Sequence, residues 1–337
     1  MQFEYTHPQT ELETALGGFF HINAFGKIEA GDDQKFRSFI EQAGPPPRTT
    51  VYINSIGGDV EAAIGIGRLI REAWFHTSIG SYVLSPEEAS EFVIPRKIVE
   101  GQCMSAATLV FLGGRLRYFS AGAKLGVHQF SFRNPSPEDV SRSQILSAAI
   151  AHYVSDMGIP AEFLKVSSSV SSSEIVLLKE ADLSALNIIT SGMTEVVWTA
   201  HAVSNLIYVR GERDSMFGHH KILFGYTRGS GFVIFALIES MGREEELSKF
   251  PVVEIALDHE ADFIDISHRC HREVQGIYTV LHALLSDGEA KRIASATSVG
   301  VYVRMTKDAP IFLGASPMET ETGKDQLQTI YNTFRAE

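Results

Sequence analysis

Cysteine is almost missing from the chain: 337 residues carry two, Cys103 and Cys270, far apart and in different expected domains. That excludes a disulfide framework of the kind that staples small secreted folds. Clusters of five or more Lys and Arg are absent, and the formal net charge is −12. Phosphate-backbone binding needs a basic surface, so a nucleic-acid partner is not expected. Long hydrophobic runs are absent too: the longest candidate, 232–238, is strand-sized, whereas a membrane span needs about 18 or more apolar residues. The N-terminal stretch holds Glu4, His7, Glu11 and Glu13 and lacks a basic segment followed by an apolar one, so no secretory signal is expected. These absences lead to an expected cytoplasmic location with no membrane span.

Hydrophobic residues at 44% and charged residues at 21% supply a sizeable core, and the length suits two domains. Residues 19–28 alternate as a strand. A helical stretch at 32–43 is closed by Gly44 and Pro45-Pro46-Pro47, and a β-branched strand follows at 50–54. That strand runs into Gly57-Gly58 and a second helical pattern with Val60, Ile64, Gly67 and Ile70 on one face. Strands alternating with helices argue for a parallel sheet with crossover helices, an α/β fold.

Three stretches carry candidate chemistry. Paired glycines in Ile53-Asn54-Ser55-Ile56-Gly57-Gly58 let the backbone turn sharply and present N–H groups without a Cβ in the way. Gly101-Gln102-Cys103-Met104-Ser105-Ala106-Ala107 puts a serine among small residues before a short apolar run, the pattern of a strand-to-helix turn. Free N–H groups there favour negative charge, which suits an oxyanion; an ordinary helix-capping serine reads equally well from this stretch alone. Downstream, residues 124–130 form a short apolar strand ending in His128.

In this order the three stretches resemble the Clp protease proteolytic subunit and its relatives in the ClpP/crotonase superfamily. Ile53 to Gly58 is similar to the family's I-N-S-P-G-G turn, Gly101 to Ser105 to its G-Q-A-A-S nucleophile turn, and Val127-His128-Gln129 to its I-H-Q segment. The resemblance covers roughly 17–199. It implies a parallel-sheet spiroid core with crossover helices and a serine peptidase working by acyl transfer. Ser105 would be the nucleophile, His128 the general base, and the backbone N–H groups of Gly58 and Ala106, supported by Gly57, the oxyanion hole. The family's third triad member, an aspartate, falls on or near Ser173, where none is present; Glu174 is adjacent and Asp182 nearby. The third member stays open between Ser173 and Glu174, and a non-catalytic scaffold with a degraded triad stays open beside the enzyme.

The resemblance implies a peptide or protein substrate, no cofactor, and homo-oligomerisation through the helix expected at 138–157. Related signal-peptide peptidases use a Ser–Lys dyad, for which Lys97 and Lys124 are the candidates. The acyl-CoA branch of the superfamily fits less well, given the I-N-S-x-G-G wording and the V-H-Q histidine. Residues 85–97 read as an insertion ahead of the serine strand, either covering the site or lying on the surface. The serine-rich run 167–173 reads as a loop or helix start.

The expected domains are an N-terminal arm at 1–16, the hydrolase domain at 17–199, and a smaller β-rich α+β domain at 200–337 with a role in selecting a substrate or partner. Within the last, short β-rich runs precede a helical segment at 274–286, a second at 289–295, a strand at 299–305 and a helix at 324–334. Its His268, Cys270 and His271, with His259 and His219-His220 upstream, match no zinc spacing, and no metal is expected.

Overall fold

A computed structural model describes residues 1–16, 18–131 and 138–335. Residue 17, the expected start of the hydrolase domain, and residues 132–137, 336 and 337 lie outside it. The chain has mixed helices and strands in several sheets, an α/β composition. It divides into two compact units, Met1–Gly192 and Met193–Glu337.

The first unit runs β1 (Gln2–Thr6), α1 (Glu11–Leu16), β2 (His21–Phe25), α2 (Asp32–Ala43), β3 (Thr50–Asn54), α3 (Val60–Glu72) and β4 (His76–Ile79). It continues through β5 (Ser81–Leu84), β6 (Arg96–Val99), β7 (Gln102–Met104), α4 (Ala107–Leu112), β8 (Arg117–Tyr118) and β9 (Lys124–Val127), ending in α5 (Glu138–Asp156), α6 (Glu162–Ser169), β10 (Val176–Leu177) and α7 (Glu180–Ala185). One sheet has the order β1-β2-β3-β4-β8, parallel from β2 onward; a second has the order β10-β9-β7, with β7 and β9 parallel. A bridge from Ser55 to Cys103 joins the end of β3 to β7.

The expected arm at 1–16 is instead sheet and helix. β1 pairs antiparallel with β2, and Phe3 packs on Phe36 and Phe39 of α2 with ring centroids 4.8 and 5.7 Å apart. Alternation of Phe3 and Tyr5 with Glu4 is the period of an edge strand with one buried face.

The insertion at 85–97 is the tip of an antiparallel β5–β6 hairpin. Tyr82 stacks on Tyr52 at 4.9 Å, and the Asn23 amide donates to the Tyr82 carbonyl at 2.9 Å and accepts its N–H at 2.8 Å. The hairpin therefore lies against β2 and β3. Its tip is held by Glu13 of α1, whose carboxylate takes two 2.9 Å bonds from the Arg96 guanidinium and one of 2.8 Å from the Ile94 N–H.

Helix α3 is capped by Asp59, whose side chain accepts the Ala62 N–H at 2.8 Å, and buries Ala62, Ala63, Ile66, Leu69 and Ile70 in the unit's apolar core. Gly67 on this helix faces the Tyr153 hydroxyl so closely that a Cβ would collide with it. Tyr153 is fully buried and donates to the Leu109 carbonyl at 2.6 Å, fixing the C-terminal end of α5 to α4. Toward its other end α5 leaves the unit's core: Ile145 is 71% exposed, and Ala148 and Ala149 are exposed as well.

The second unit comprises β11 (Val197–Val203), β12 (Leu206–Ser215), β13 (Gly218–Thr227), β14 (Gly231–Glu239), α8 (Glu244–Lys249), β15 (Val252–Leu257) and β16 (Asp262–Asp265). β17 (His271–Gln275), β18 (Tyr278–Leu285), α9 (Asp287–Ser295), β19 (Ser298–Arg304), β20 (Leu313–Glu319) and α10 (Lys324–Phe334) complete it. A six-stranded sheet, β11-β12-β13-β14-β18-β17, and a four-stranded one, β16-β15-β19-β20, share one apolar core with α9 and α10. The divide falls at 192/193 and not at 199/200, because β11 pairs along its whole length with β12. The helix expected at 274–286 is a β-hairpin, β17–β18, turning at Gly276 with φ +59°. Its β-branched and aromatic residues, Val274, Ile277, Tyr278, Thr279 and Val280, suit a pleated surface better than a helix.

Candidate active site

Ser105 and His128 come together because their strands are neighbours. β7 and β9 pair in parallel with Cys103 opposite Leu125 and Met104 opposite Gly126, so the residues just past the two strand ends lie side by side. Such crevices beyond the carboxyl ends of parallel strands are where open α/β sheets gather functional groups. Ser105 Oγ lies 2.7 Å from His128 Nε2.

The serine stands in a left-handed turn. Its φ is +57°, uncommon for a residue with a Cβ, and the chain enters α4 directly afterwards. Three contacts hold that turn: the Ser105 N–H donates to the Gly126 carbonyl at 2.9 Å, and the Ser105 carbonyl accepts the Thr108 N–H at 3.0 Å and the Thr108 hydroxyl at 2.7 Å. The helix-capping alternative for Ser105 does not describe its hydroxyl: the cap position of α4 is Ala106, which has no side-chain cap. Backbone strain of this sort costs about 1–3 kcal/mol and persists where surrounding structure over-determines it.

Gly57 and Gly58 pack beside this turn, with φ +93° and +147°. The Ser55 hydroxyl accepts the Gly57 N–H at 3.1 Å, and the Met104 N–H donates to the Ser55 carbonyl at 3.0 Å, tying the glycine turn to the serine strand. A Cβ on Gly57 would stand 3.0 Å from the Ala106 nitrogen. Among the described residues neither the Gly58 nor the Ala106 N–H donates to a protein acceptor, so both are free to serve a developing oxyanion.

The imidazole is held on one side only. Its Nδ1 is buried and, among the described residues, has no hydrogen-bond partner. The adjoining chain is fixed by the Gln129 N–H donating to the Val170 carbonyl at 3.0 Å. Neither candidate third member bonds to the ring. The Ser173 hydroxyl pairs with Ser171 at 2.9 Å, and Glu174 is exposed, its N–H on the Ser171 carbonyl. Lys97 sits at the surface 3.3 Å from Glu87 and Lys124 is exposed, so neither lysine lines the cleft as a base. Cys103, two residues before the serine, is buried with its thiol pushed up by desolvation, the opposite of an activated nucleophile.

A cleft of about 610 Å³ opens beside the pair. Leu109, Val127, Ile150, Phe163 and Leu164 form its apolar walls, and Thr108, Ser143, Ser147, Ser167 and Ser168 bring hydroxyls. A second cleft, about 380 Å³, shares Val60, Phe130 and Ser131 with it and passes Gly58. No residue of 81–99 lines either cleft, so the hairpin does not cover the site. The serine-rich run, which reads as a loop or helix start, is instead the C-terminal end of α6; Phe163, Leu164 and Val166 before it are the apolar signal of that helix.

In the second unit, His268, Cys270 and His271 do not converge on a site: no group of three His, Cys, Asp or Glu is arranged to hold a metal among the described residues. Both cysteines are free thiols.

No protein-family model matches the chain, and no curated protein matches it.

Proposed function

We propose that this protein is a serine hydrolase of the ClpP-like kind, acting on peptide bonds, and that its first unit is a ClpP/crotonase-like core. The observation that carries this is the 2.7 Å contact between Ser105 Oγ and His128 Nε2 at a strained strand-to-helix turn, with two unused N–H groups beside it. Ser105 Oγ attacks the substrate carbonyl while Nε2 takes its proton; the oxyanion is received by the N–H groups of Gly58 and Ala106. As the tetrahedral intermediate collapses, the C–N bond breaks and His128 returns the proton to the leaving amine. Water, deprotonated by the same nitrogen, then cleaves the acyl ester and frees Ser105.

The general-base role needs the neutral ring with its proton on Nδ1, and leaving a buried N–H unbonded costs about 1–3 kcal/mol. That supports a weak enzyme in the isolated chain, and it is the observation favouring the second reading, a ClpP-like scaffold whose catalysis has decayed. The exposed face of α5 supports association with further copies of the chain in either case.

Labelling purified protein with a fluorophosphonate probe, read by intact mass and peptide mapping, separates the two. Adduct at Ser105, lost in Ser105→Ala and His128→Ala, is the expected result. A folded protein that takes up no probe, in a cleft this open, overturns the hydrolase reading in favour of the scaffold.

A further inference from the structure

Three of the hydroxyls that line the cleft beside Ser105 and His128 can receive hydrogen bonds but have no proton left to give. The Thr108 hydroxyl donates to the Ser105 carbonyl at 2.7 Å, the Ser147 hydroxyl to the Ser143 carbonyl at 2.8 Å, and the Ser167 hydroxyl to the Leu164 carbonyl at 3.1 Å. A hydroxyl has one proton and two lone pairs. With the proton committed to helix backbone, each of these three oxygens turns only acceptor capacity toward an occupant.

The rest of the lining narrows the occupant by elimination. Among the described residues, His128 is the sole titratable side chain in the cleft; there is no Asp, Glu, Lys or Arg. An ammonium or guanidinium would enter without a counter-charge, and a carboxylate would enter without a cation; each ion would lose its hydration without a charged partner. A wholly aliphatic side chain would satisfy Leu109, Ile150, Phe163 and Leu164 but leave hydroxyl lone pairs facing carbon. A large aromatic body carrying one neutral donor satisfies both requirements, and about 610 Å³ accommodates it.

Resting on the hydrolase reading, we infer that this cleft selects substrates by a tyrosine or tryptophan side chain on the residue that supplies the scissile carbonyl, with Ser147 and Ser167 as the specificity-determining acceptors. The phenol O–H or indole N–H donates to these oxygens while the ring lies against Phe163 and Ile150. Cleavage would thus leave products ending in a free carboxylate on Tyr or Trp.

The test uses full-length Ser105→Ala protein, which binds without turning over, and a fluorescent pentapeptide series differing only in a C-terminal Tyr, Trp, Phe, Leu or Lys. One neutral hydrogen bond is worth about 1 kcal/mol, so Tyr is expected to bind about fivefold more tightly than Phe, and Lys most weakly. In the Ser105→Ala/Ser147→Ala/Ser167→Ala variant Phe binding is retained and the Tyr advantage disappears; both added alanines lie in helices, where alanine is well tolerated. Phe or Leu binding as tightly as Tyr overturns the inference, as does a Tyr advantage that survives removal of both hydroxyls. Probe labelling of wild-type Ser105 reports separately on the chemistry. A labelled serine with a Leu preference removes the specificity and keeps the hydrolase, and an unlabelled serine with a Tyr preference does the reverse.

Discussion

Gly57 lies so close to Ser105 that a β-carbon on the glycine would stand 2.8 Å from the serine Cβ and 2.7 Å from the Met104 carbonyl oxygen. The Ser105 turn and the Gly57-Gly58 turn are therefore one packed unit. Gly57→Ala is expected to shift the Ser105 turn, with a fall in probe-labelling rate of at least tenfold in a protein that still folds. Gly58→Ala goes further: its Cβ would collide with the Ile28 carbonyl, which accepts the Asp59 N–H at 3.0 Å, and φ is +147°. Loss of that bridge is expected to lower thermal stability as well as labelling, and circular dichroism melts of both variants separate the two effects.

The strain at Ser105 makes a prediction with the opposite sign for stability and activity. A glycine at φ +57° carries no Cβ penalty, and relieving the left-handed conformation is worth about 1–2 kcal/mol. Ser105→Gly is expected to raise the melting temperature by about 2–6 °C while abolishing labelling. A melting temperature that falls would mean that the serine hydroxyl stabilises the turn more than its backbone strains it.

Helix α5 tests the proposed self-association. Ile145 is 71% exposed on a helix whose C-terminal end is anchored by fully buried Tyr153, so its substitution leaves that anchor untouched. Ile145→Glu is expected to keep the melting curve and to shift the sedimentation coefficient from an oligomer toward a monomer. A wild-type protein that sediments as a monomer at every concentration removes oligomerisation through this face.

How far the chain could be read from its residues depends on where the information lies. Helix α2 and strand β3 are legible residue for residue, because acidic residues open the helix, Gly44 and three prolines close it, and β-branched residues with a tyrosine fill the strand. Ser105 and His128 stand out as candidates through the resemblance of their stretches, in order and spacing, to the ClpP motifs, but their contact is set by the β7–β9 register, which no local pattern encodes. The chain next to His128 is held by the Gln129 N–H on the Val170 carbonyl, again a tertiary matter. β20 escaped notice because Pro317 interrupts it, and prolines are tolerated on a sheet edge such as this one.

The insertion carries the remaining prediction, since its anchor is a buried ion pair. Glu13 and Arg96 have side chains 0% and 2% exposed, joined by two 2.9 Å bonds. The Arg96 hydrogen bonds hold the Glu13 carboxyl at about 2, well below its ordinary 4.5, against a burial effect that pushes it up. A carboxyl depressed in the folded state contributes stability that is complete above the unfolded value and lost as pH falls through the folded one. In wild type, amide protection of the 81–99 hairpin, corrected for intrinsic exchange, is therefore expected to hold above pH 4.5 and to decline between there and about pH 2. The Ile94 amide, bonded to Glu13 Oε1, should report it most directly. Glu13→Gln leaves the Arg96 cation buried without its partner, at a cost of about 3–5 kcal/mol, so the hairpin should lose protection at neutral pH and its remaining protection should no longer depend on pH in that window. Because the hairpin lines neither cleft, Ser105 labelling should change little in this variant. A large fall in labelling would mean that the hairpin supports the site through the β2–β3 sheet it lies on.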